Sequence, residues 1–252
     1  MKSIAEIRKE LESSSGDGTK ALLDVYEKDS RKGVQTLVAK YRKMERLLAK
    51  ERERLEKMRE FEHKYSSFEA ICGVDEAGRG PLAGPVVAGA VILPADVEIL
   101  YLNDSKKVSA ARRDELYEEI KEKAVSWAVG IVSPERIDEI NILQATYEAM
   151  RQAIAKLMPE PDLLLVDAVT IPSVPQKQVG IVKGDARSVS IAAASIMAKV
   201  TRDHMMEEWD VKYPEYGFSS HKGYGSQAHI EAIRKYGPSP IHRRTFIKNF
   251  VE

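Results

Sequence analysis

The chain has 252 residues, 43% of them hydrophobic, and 39 lysines and arginines balance 39 aspartates and glutamates. These numbers allow one core of ordinary size with an appended piece, and the balanced charge identifies no partner. The single cysteine, Cys72, excludes an internal disulfide, and with no membrane-length apolar run and no signal-peptide core we expect a cytoplasmic protein without a membrane partner.

Residues 1–65 predict an all-helical N-terminal extension. Ser3 and Glu6 form a capping-box pattern at the start of a first helix, and a second short helix follows a serine- and glycine-rich break. From Val34 to Met58 the apolar residues recur at steps of three and four, which predicts one long amphipathic helix. The apolar stripe of this extension needs a surface that covers it.

Basic residues are concentrated at the beginning of the long helix. Within residues 31–46 the only acidic residue is Glu45. Such a stretch suits contact with the phosphates of a duplex, although a solvated helix face explains it equally well. We therefore treat residues 1–65 as a possible substrate-binding module that uses Arg31, Lys32, Lys40, Arg42, Lys43 and Arg46.

Residues 66–252 predict an α/β domain that ends in a helical segment. Short apolar runs that indicate strands alternate with amphipathic segments that indicate helices, which is typical of a mixed sheet with flanking helices. The predicted strands cover residues 68–74, 85–93, 125–132, 163–167 and 178–182, and the longer predicted helices cover residues 110–123, 141–157, 189–209 and 227–236.

The segment from Cys72 to Gly80 carries the strongest chemical signal. A strand-like run ends in two adjacent carboxylates, Asp75 and Glu76, which offer oxygen ligands to a divalent cation. Neighbours on a strand face opposite ways, so both serve one site only if the strand ends or bulges there, or if one of them contributes its backbone carbonyl. Gly78 and Gly80 allow close backbone approach on either side of Arg79, whose guanidinium suits phosphate. An ordinary turn is the alternative.

Three more aspartates are candidate ligands. Asp167 ends the most apolar strand, Asp185 lies between a strand and a helix, and Asp203 lies within that helix. Carboxylates at strand ends and the absence of a Cys/His cluster favour Mg²⁺ or Mn²⁺ and phosphodiester hydrolysis by two metal ions. Asp185 could instead be a cap, and Asp203 a partner of Arg202 or Lys199.

Two loops have the composition of nucleic-acid contacts. Residues 217–226 alternate glycines with aromatic and basic residues, and Tyr224 could stack on a sugar or base, although it could equally pack inward. Ser105, Lys106 and Lys107 form the second loop, in a string that is also common on surfaces.

Together these motifs resemble bacterial ribonuclease HII. The resemblance spans about residues 66–245 and rests on several separated motifs in the same order, those at residues 73–86, 103–107, 183–185 and 221–225 together with Asp167. It implies a ribonuclease H-like fold, cleavage of the RNA strand of RNA–DNA hybrids, and incision 5′ of single ribonucleotides in duplex DNA.

The resemblance also implies roles for individual residues. The four metal ligands correspond to Asp75, Glu76, Asp167 and Asp185, and Asp203 matches a further acidic position. The element that reads the ribose 2′-hydroxyl corresponds to Gly78, Arg79 and Gly80, and the junction-sensing tyrosine corresponds to Tyr224.

Other interpretations stay open at this point. A ribonuclease HIII-type enzyme would share the fold, a non-catalytic nucleic-acid-binding protein would hold the acidic cluster with lysines, and a carboxylate-pair glycosidase would need no metal. We expect a monomer. The C-terminal residues 246–250 are too weak a pattern to predict whether a replication clamp binds this chain.

Overall fold

The computed structural model describes residues 1–251 of the protein. The chain divides into two compact units, one formed by residues 1–54 and one that begins at Leu55. This division lies within the long helix, about ten residues before the boundary near residue 65 that the sequence suggests.

Three helices build the first unit: α1 (Ile4–Ser13), α2 (Asp17–Tyr26) and α3 (Lys32–Lys57), whose last residues belong to the second unit. The predicted capping box is present, because the Ser3 hydroxyl accepts the Glu6 amide and the Glu6 carboxylate accepts the Ser3 amide. Ile7 of α1 and Leu23 of α2 pack against Val34 and Leu37 of α3. The unit therefore covers the first part of the apolar stripe of its long helix, from Val34 to Tyr41.

The second unit contains a short helix, a five-stranded sheet and seven further helices among the described residues. In chain order these elements are α4 (Glu60–Lys64), β1 (Ile71–Ala77), β2 (Val86–Ile92), α5 (Ala110–Lys123), β3 (Ser126–Val132), α6 (Pro134–Ile140), α7 (Ile142–Ile154), β4 (Leu163–Asp167), β5 (Lys177–Ile181), α8 (Val189–Lys212), α9 (Phe218–His221), α10 (Gln227–Tyr236) and α11 (Arg244–Ile247). The predicted α/β domain, a mixed sheet with flanking helices, is confirmed.

The strand order is β3-β2-β1-β4-β5, with β1 at the centre. β1 pairs antiparallel with β2 and parallel with β4, and β5 is parallel to β4 at the edge. The antiparallel pairing of β1 runs to Ala77 opposite Val87, whereas the parallel pairing ends at Val74 opposite Val166. The last three residues of β1 are therefore paired on one side only.

Helices cover both faces of the sheet. Side chains of one face, including Cys72 and Val74, pack with α7, whereas Val91 of the other face packs with α5 and α8. Gly73 faces α8, and a Cβ built there would lie 2.0 Å from the Ser190 carbonyl carbon. Glycine at this position lets α8 approach the central strand closely.

Two sequence predictions differ from the structure at the edges of elements. β1 starts at Ile71 rather than at residue 68 and continues regularly through Asp75 and Glu76 to Ala77, so the strand ends three residues later than the predicted residue 74. The helix that ends at Tyr236 is not the last one, because α11 follows it. Across residues 1–251, no helix has the length and apolar character that a membrane span needs.

Candidate active site

The site lies where the hydrogen-bonded pairing between β1 and β4 ends. Asp75 and Asp167 each follow the last paired residues, Val74 and Val166, so parallel register places them next to each other. Since adjacent strands lie about 4.8 Å apart, the two carboxylates share one end of the sheet. The chain thus brings together two candidate ligands that are 92 positions apart in the sequence.

Asp75 is the most buried carboxylate of the site. Its side chain is 6% exposed, and its Oδ1 accepts the Glu76 amide at 2.7 Å. Burial raises the pKa of Asp75 well above its ordinary value, and the charges of Glu76 and Asp167 raise it further. Like charges in a poorly hydrated place disfavour ionisation, and a bound cation would offset the cost of the ionised form.

Glu76 stands beside Asp75 but is held differently. Burial raises its pKa, and the nearby Arg79 opposes this shift with a hydrogen bond of 3.3 Å from Nη1 to Oε1. Asp167 also raises the pKa of Glu76, so the charge at the end of β4 acts on both carboxylates of β1. β1 thus neither ends nor bulges at this pair of carboxylates, contrary to those two expectations, but its last three residues lack a partner strand on the β4 side.

Asp185 joins the group from the other side of β4. It lies in a short 3₁₀ helix, Gly184–Ala186, whose first amide donates to Asp167 Oδ1 at 2.6 Å. Burial raises the pKa of Asp185, followed by the charges of Asp104 and Asp167. Asp104 was not among the predicted site residues, although it lies in the string 103–107 that the sequence singles out.

The loop that contains Asp104 places one cation in the site. The Lys106 charge lowers the pKa of both Glu76 and Asp185 and so partly offsets the effect of burial. Lys106 and Lys107 are exposed, and Lys107 Nζ lies 3.7 Å from Asp104. Ser105 is buried, with its hydroxyl 3.0 Å from that of Ser195, so it supports the loop from below.

Asp203 forms ion pairs of its own. Its carboxylate accepts a hydrogen bond from Lys199 Nζ at 2.6 Å and lies 3.6 Å from Arg113 Nη2. The ion-pair alternative for Asp203 therefore describes what the structure shows, with Lys199 rather than Arg202 as the partner.

The carboxylate oxygens of the site suit a hard divalent cation, although they do not form a complete coordination shell. Across residues 1–251, no three carboxylate, imidazole or thiol groups converge tightly enough to enclose an ion. The charge of Asp167 nevertheless raises the pKa of Asp75, of Glu76 and of Asp185, so the four carboxylates lie within electrostatic reach of one another at this end of the sheet. Oxygen donors with uncompensated charge are what Mg²⁺ and Mn²⁺ prefer, and Mg²⁺ keeps several waters rather than a full protein cage.

The glycine–arginine–glycine element and Tyr224 lie together beside the carboxylates. Gly78 has a φ of 95°, and a Cβ there would lie 2.2 Å from Arg202 Nε, so this position requires glycine. A Cβ on Gly80 would lie 3.8 Å from Cε1 of the Tyr224 ring, which is exposed. The alternative that Tyr224 packs inward is thus excluded.

Buried basic side chains hold these loops, and the sequence did not reveal them. Arg202 and Arg243 are buried, and they donate to main-chain carbonyls of residues 78–85 and of Lys222. His229 lies beneath the tyrosine loop, with Nδ1 2.9 Å from the Tyr224 carbonyl. In the sequence these residues look like ordinary surface charges, because no local pattern marks a buried cation.

Comparison with known proteins finds consistent relatives. The family model described as Ribonuclease HII matches residues 72–249, and the one described as Ribonuclease HII N-terminal domain matches residues 3–66. The protein named Ribonuclease HII from Lachnoclostridium phytofermentans is 58% identical over 246 residues, which cover 98% of this chain and 97% of that protein.

Solved structures share the fold of the second unit. Ribonuclease H2 from Pyrococcus horikoshii aligns with a TM-score of 0.59 and 30% identity, over 71% of this chain and 96% of that one. The structure of the PCNA:RNase HII complex from Archaeoglobus fulgidus aligns with a TM-score of 0.60 and 28% identity, over the same shares of the two chains.

The burial of Asp75 leads to a stability prediction. Because its folded-state pKa lies above the unfolded value, the stability that depends on Asp75 rises as pH falls through the folded pKa and is lowest when the group is ionised. We expect Asp75→Asn to raise Tm by roughly 2–4 °C at pH 7 in EDTA and to flatten the dependence of Tm on pH.

Thermal unfolding followed by circular dichroism measures this effect. Asp96→Asn, which alters an exposed carboxylate of the same unit, is the matched control and should leave Tm unchanged. A lower Tm for Asp75→Asn in EDTA would show that the buried carboxylate is compensated within the protein.

Proposed function

Because this chain belongs to the ribonuclease HII family, we propose that its acidic site hydrolyses phosphodiesters with divalent cations and also incises duplex DNA 5′ of single embedded ribonucleotides. Membership itself makes the chain a ribonuclease H that cleaves the RNA strand of RNA–DNA hybrids. It also removes the ribonuclease HIII-type and glycosidase interpretations. A cytoplasmic location and a monomeric state stay predictions.

The observation that carries the proposal is the meeting of Asp75 and Asp167 at one end of the sheet. When bound there, paired Mg²⁺ or Mn²⁺ ions would supply activation of water and stabilisation of the charge that develops on the leaving oxygen. Asp75, Glu76, Asp167 and Asp185 are the residues that would hold them. Lys106 lies beside Glu76 and Asp185 and can contact an anionic substrate at the rim.

Recognition of the ribose belongs to the neighbouring loops in this proposal. A 2′-hydroxyl distinguishes RNA from DNA, and main-chain amides can read it where glycines let the backbone approach. Gly78, Arg79 and Gly80 provide such a backbone, and Arg79 adds a charge for the adjacent phosphate. Tyr224 lies against Gly80 with its ring exposed, where it can stack on the sugar next to the scissile bond.

The decisive test uses a duplex with one ribonucleotide, incubated with and without Mg²⁺, followed by mapping of the cut. We expect a cut on the 5′ side of the ribonucleotide that requires the cation. Asp167→Asn should lower kcat by more than about 1,000-fold because it removes a charged ligand, while binding to the hybrid stays measurable. Cleavage that persists in EDTA or in Asp167→Asn would overturn the assignment of the site.

The same variant separates catalysis from binding alone. A non-catalytic nucleic-acid-binding protein would show no cation-dependent cut in the wild-type chain, while Asp167→Asn would bind as well as the wild type. The hybrid and the all-DNA duplex are assayed in parallel, so that a general loss of binding is recognised.

Tyr224 gives a prediction about the substrate. Tyr224→Ala should lower kcat/KM about tenfold more on the single-ribonucleotide duplex than on a long hybrid, because stacking of this ring on a junction sugar contributes about 1–3 kcal/mol. Tyr236→Ala changes another exposed tyrosine at the end of α10 and serves as the matched control. Equal losses on the two substrates would refute a junction role.

The N-terminal unit gives a prediction about duplex binding. Arg31 is paired with Asp29 at 2.6 Å, and Arg42 is paired with acidic neighbours that include Asp24. Within the described residues, Lys32, Lys40, Lys43 and Arg46 form no such ion pairs and are exposed. We therefore narrow the proposed duplex contacts to these four residues.

Replacing Lys32, Lys40 and Lys43 together by glutamine should raise KM and reduce the slope of log K against log salt by about 2–3, since each phosphate contact contributes about 0.9. kcat should stay similar. Arg42→Gln is the matched control, because its charge is already neutralised, and it should leave the slope unchanged. An unaltered slope in the triple variant would exclude this surface as a duplex contact.

A further inference from the structure

Arg243 occupies an unusual position directly beneath the glycine–arginine–glycine element. Its side chain is completely buried, and its guanidinium donates only to main-chain carbonyls. Nη2 donates to the Gly78 carbonyl at 2.5 Å, Nη1 to the Arg79 carbonyl at 2.9 Å, and Nε to the Gly84 carbonyl at 3.0 Å. One side chain therefore fixes two successive peptide groups of the element.

The orientation of those two peptides decides where their amides point. The only cis peptide in the described chain joins Met158 and Pro159, so the peptides that follow Gly78 and Arg79 are trans. In a trans peptide the N–H points opposite to the C=O. With both carbonyls turned toward Arg243, the amides of Arg79 and Gly80 point away from it, toward the exposed side.

Both amides are available to a ligand. Arg79 and Gly80 are exposed, and across residues 1–251 neither amide donates to a protein acceptor. Two adjacent amides that point the same way form a concave receptor for an oxygen atom. The guanidinium behind them adds positive charge that strengthens both donors.

Burial of the Arg243 charge costs folding free energy. Burial and the charge of the neighbouring Arg202 together lower the pKa of Arg243 to about 9, yet the group stays charged at pH 7. The carbonyls satisfy the hydrogen bonds of the guanidinium but do not neutralise it. Its Cζ also lies 5.1 Å from the centroid of the Phe246 ring, so electron-rich groups rather than a carboxylate hold this charge.

We propose that Arg243 is a positioning residue that turns the amides of Arg79 and Gly80 outward, so that they donate to the oxygen of the ribose 2′-hydroxyl. This inference rests on the proposed function of the site. Arg243 does not contact the substrate; it acts through the backbone that does.

Arg202 has a separate task in the same region. It donates to the carbonyls of Pro85, Ala83 and Lys222, and so connects the end of the loop to the segment before Tyr224. It forms no hydrogen bond with the carbonyls of Gly78 or Arg79. The orientation of the amide pair thus depends on Arg243 alone among the hydrogen bonds of the described residues.

The test compares affinities of two duplexes in EDTA, one all-DNA and one with a single ribonucleotide. In the wild type the ribonucleotide should increase affinity. Arg243→Lys keeps the charge but loses the fork that spans two carbonyls, so the preference should fall roughly fivefold, which corresponds to about one hydrogen bond. Affinity for the all-DNA duplex should stay within about twofold.

Arg59→Lys is the matched control, because Arg59 also holds two loop carbonyls, those of Ala95 and Val97, beyond the other end of β2. It should leave the preference unchanged. A preserved preference in a folded Arg243→Lys variant would overturn the positioning role. A wild type without any preference would instead overturn the proposed recognition of the ribose, so the two failures are distinguishable.

A variant that does not fold leaves a measurement on the wild type. In ¹⁵N–¹H spectra, the single-ribonucleotide duplex should shift the amide resonances of Arg79 and Gly80 more than the all-DNA duplex does. Equal shifts with both duplexes would overturn the proposal, because the outward amides would then make no contact specific to the ribose.

Discussion

The parallel register between β1 and β4 is the constraint on which the site depends. It places Asp75 beside Asp167 after the last paired residues, and it does so where the strand is already covered by helices on both faces. Two like charges in such a place cost folding free energy, which is seen in the raised pKa of Asp75. The protein therefore holds part of its site in an unfavourable state, and a bound cation would remove that cost. The carboxylates that the function requires therefore lower the stability of the fold at this end of the sheet.

Close packing of α8 against the sheet connects this constraint to the rest of the second unit. Gly73 and Gly89 leave no room for a Cβ, because Ser190 and the Ala194 carbonyl lie 2.0 Å and 2.3 Å from where it would be. The helix that approaches so closely carries Ser195 beneath the carboxylates and, two turns later, Arg202 beneath Gly78. Small residues in the strands thus determine how closely α8 approaches the sheet. The position of α8 in turn determines where the loops around the site lie.

Much of this arrangement could be predicted from the sequence, because strong local signals mark it. The apolar run before Asp167, the serine cap of α8 and the glycines around Arg79 all depend on neighbours in the chain. What could not be predicted depends on residues that meet only in the folded state. For Asp203 the sequence left a metal ligand and an ion pair with Lys199 or Arg202 open, and only the fold places Lys199 Nζ 2.6 Å from its carboxylate. Asp104 looked like a surface residue, yet its charge acts on Asp185. The buried Arg243 is nine residues from the C-terminus and has no local pattern that distinguishes it from an exposed arginine.

Two neutral imidazoles support the loop that carries Tyr224, in addition to the charged Arg202, which donates to the Lys222 carbonyl of the same loop. The Ser239 amide donates to Nδ1 of His242, so the proton of His242 must sit on Nε2, which lies 3.0 Å from Nε2 of His229. His229 then carries its own proton on Nδ1 and donates to the Tyr224 carbonyl. Burial lowers the pKa of His229 to about 4 and that of His242 to about 3, so both stay neutral near pH 7. A third charge close to Arg202 and Arg243 would add repulsion, whereas a directional chain of neutral donors fixes the tyrosine loop without it. The positive charge of Arg243 then lies directly behind the amides of Arg79 and Gly80, where an oxygen-rich ligand can bind.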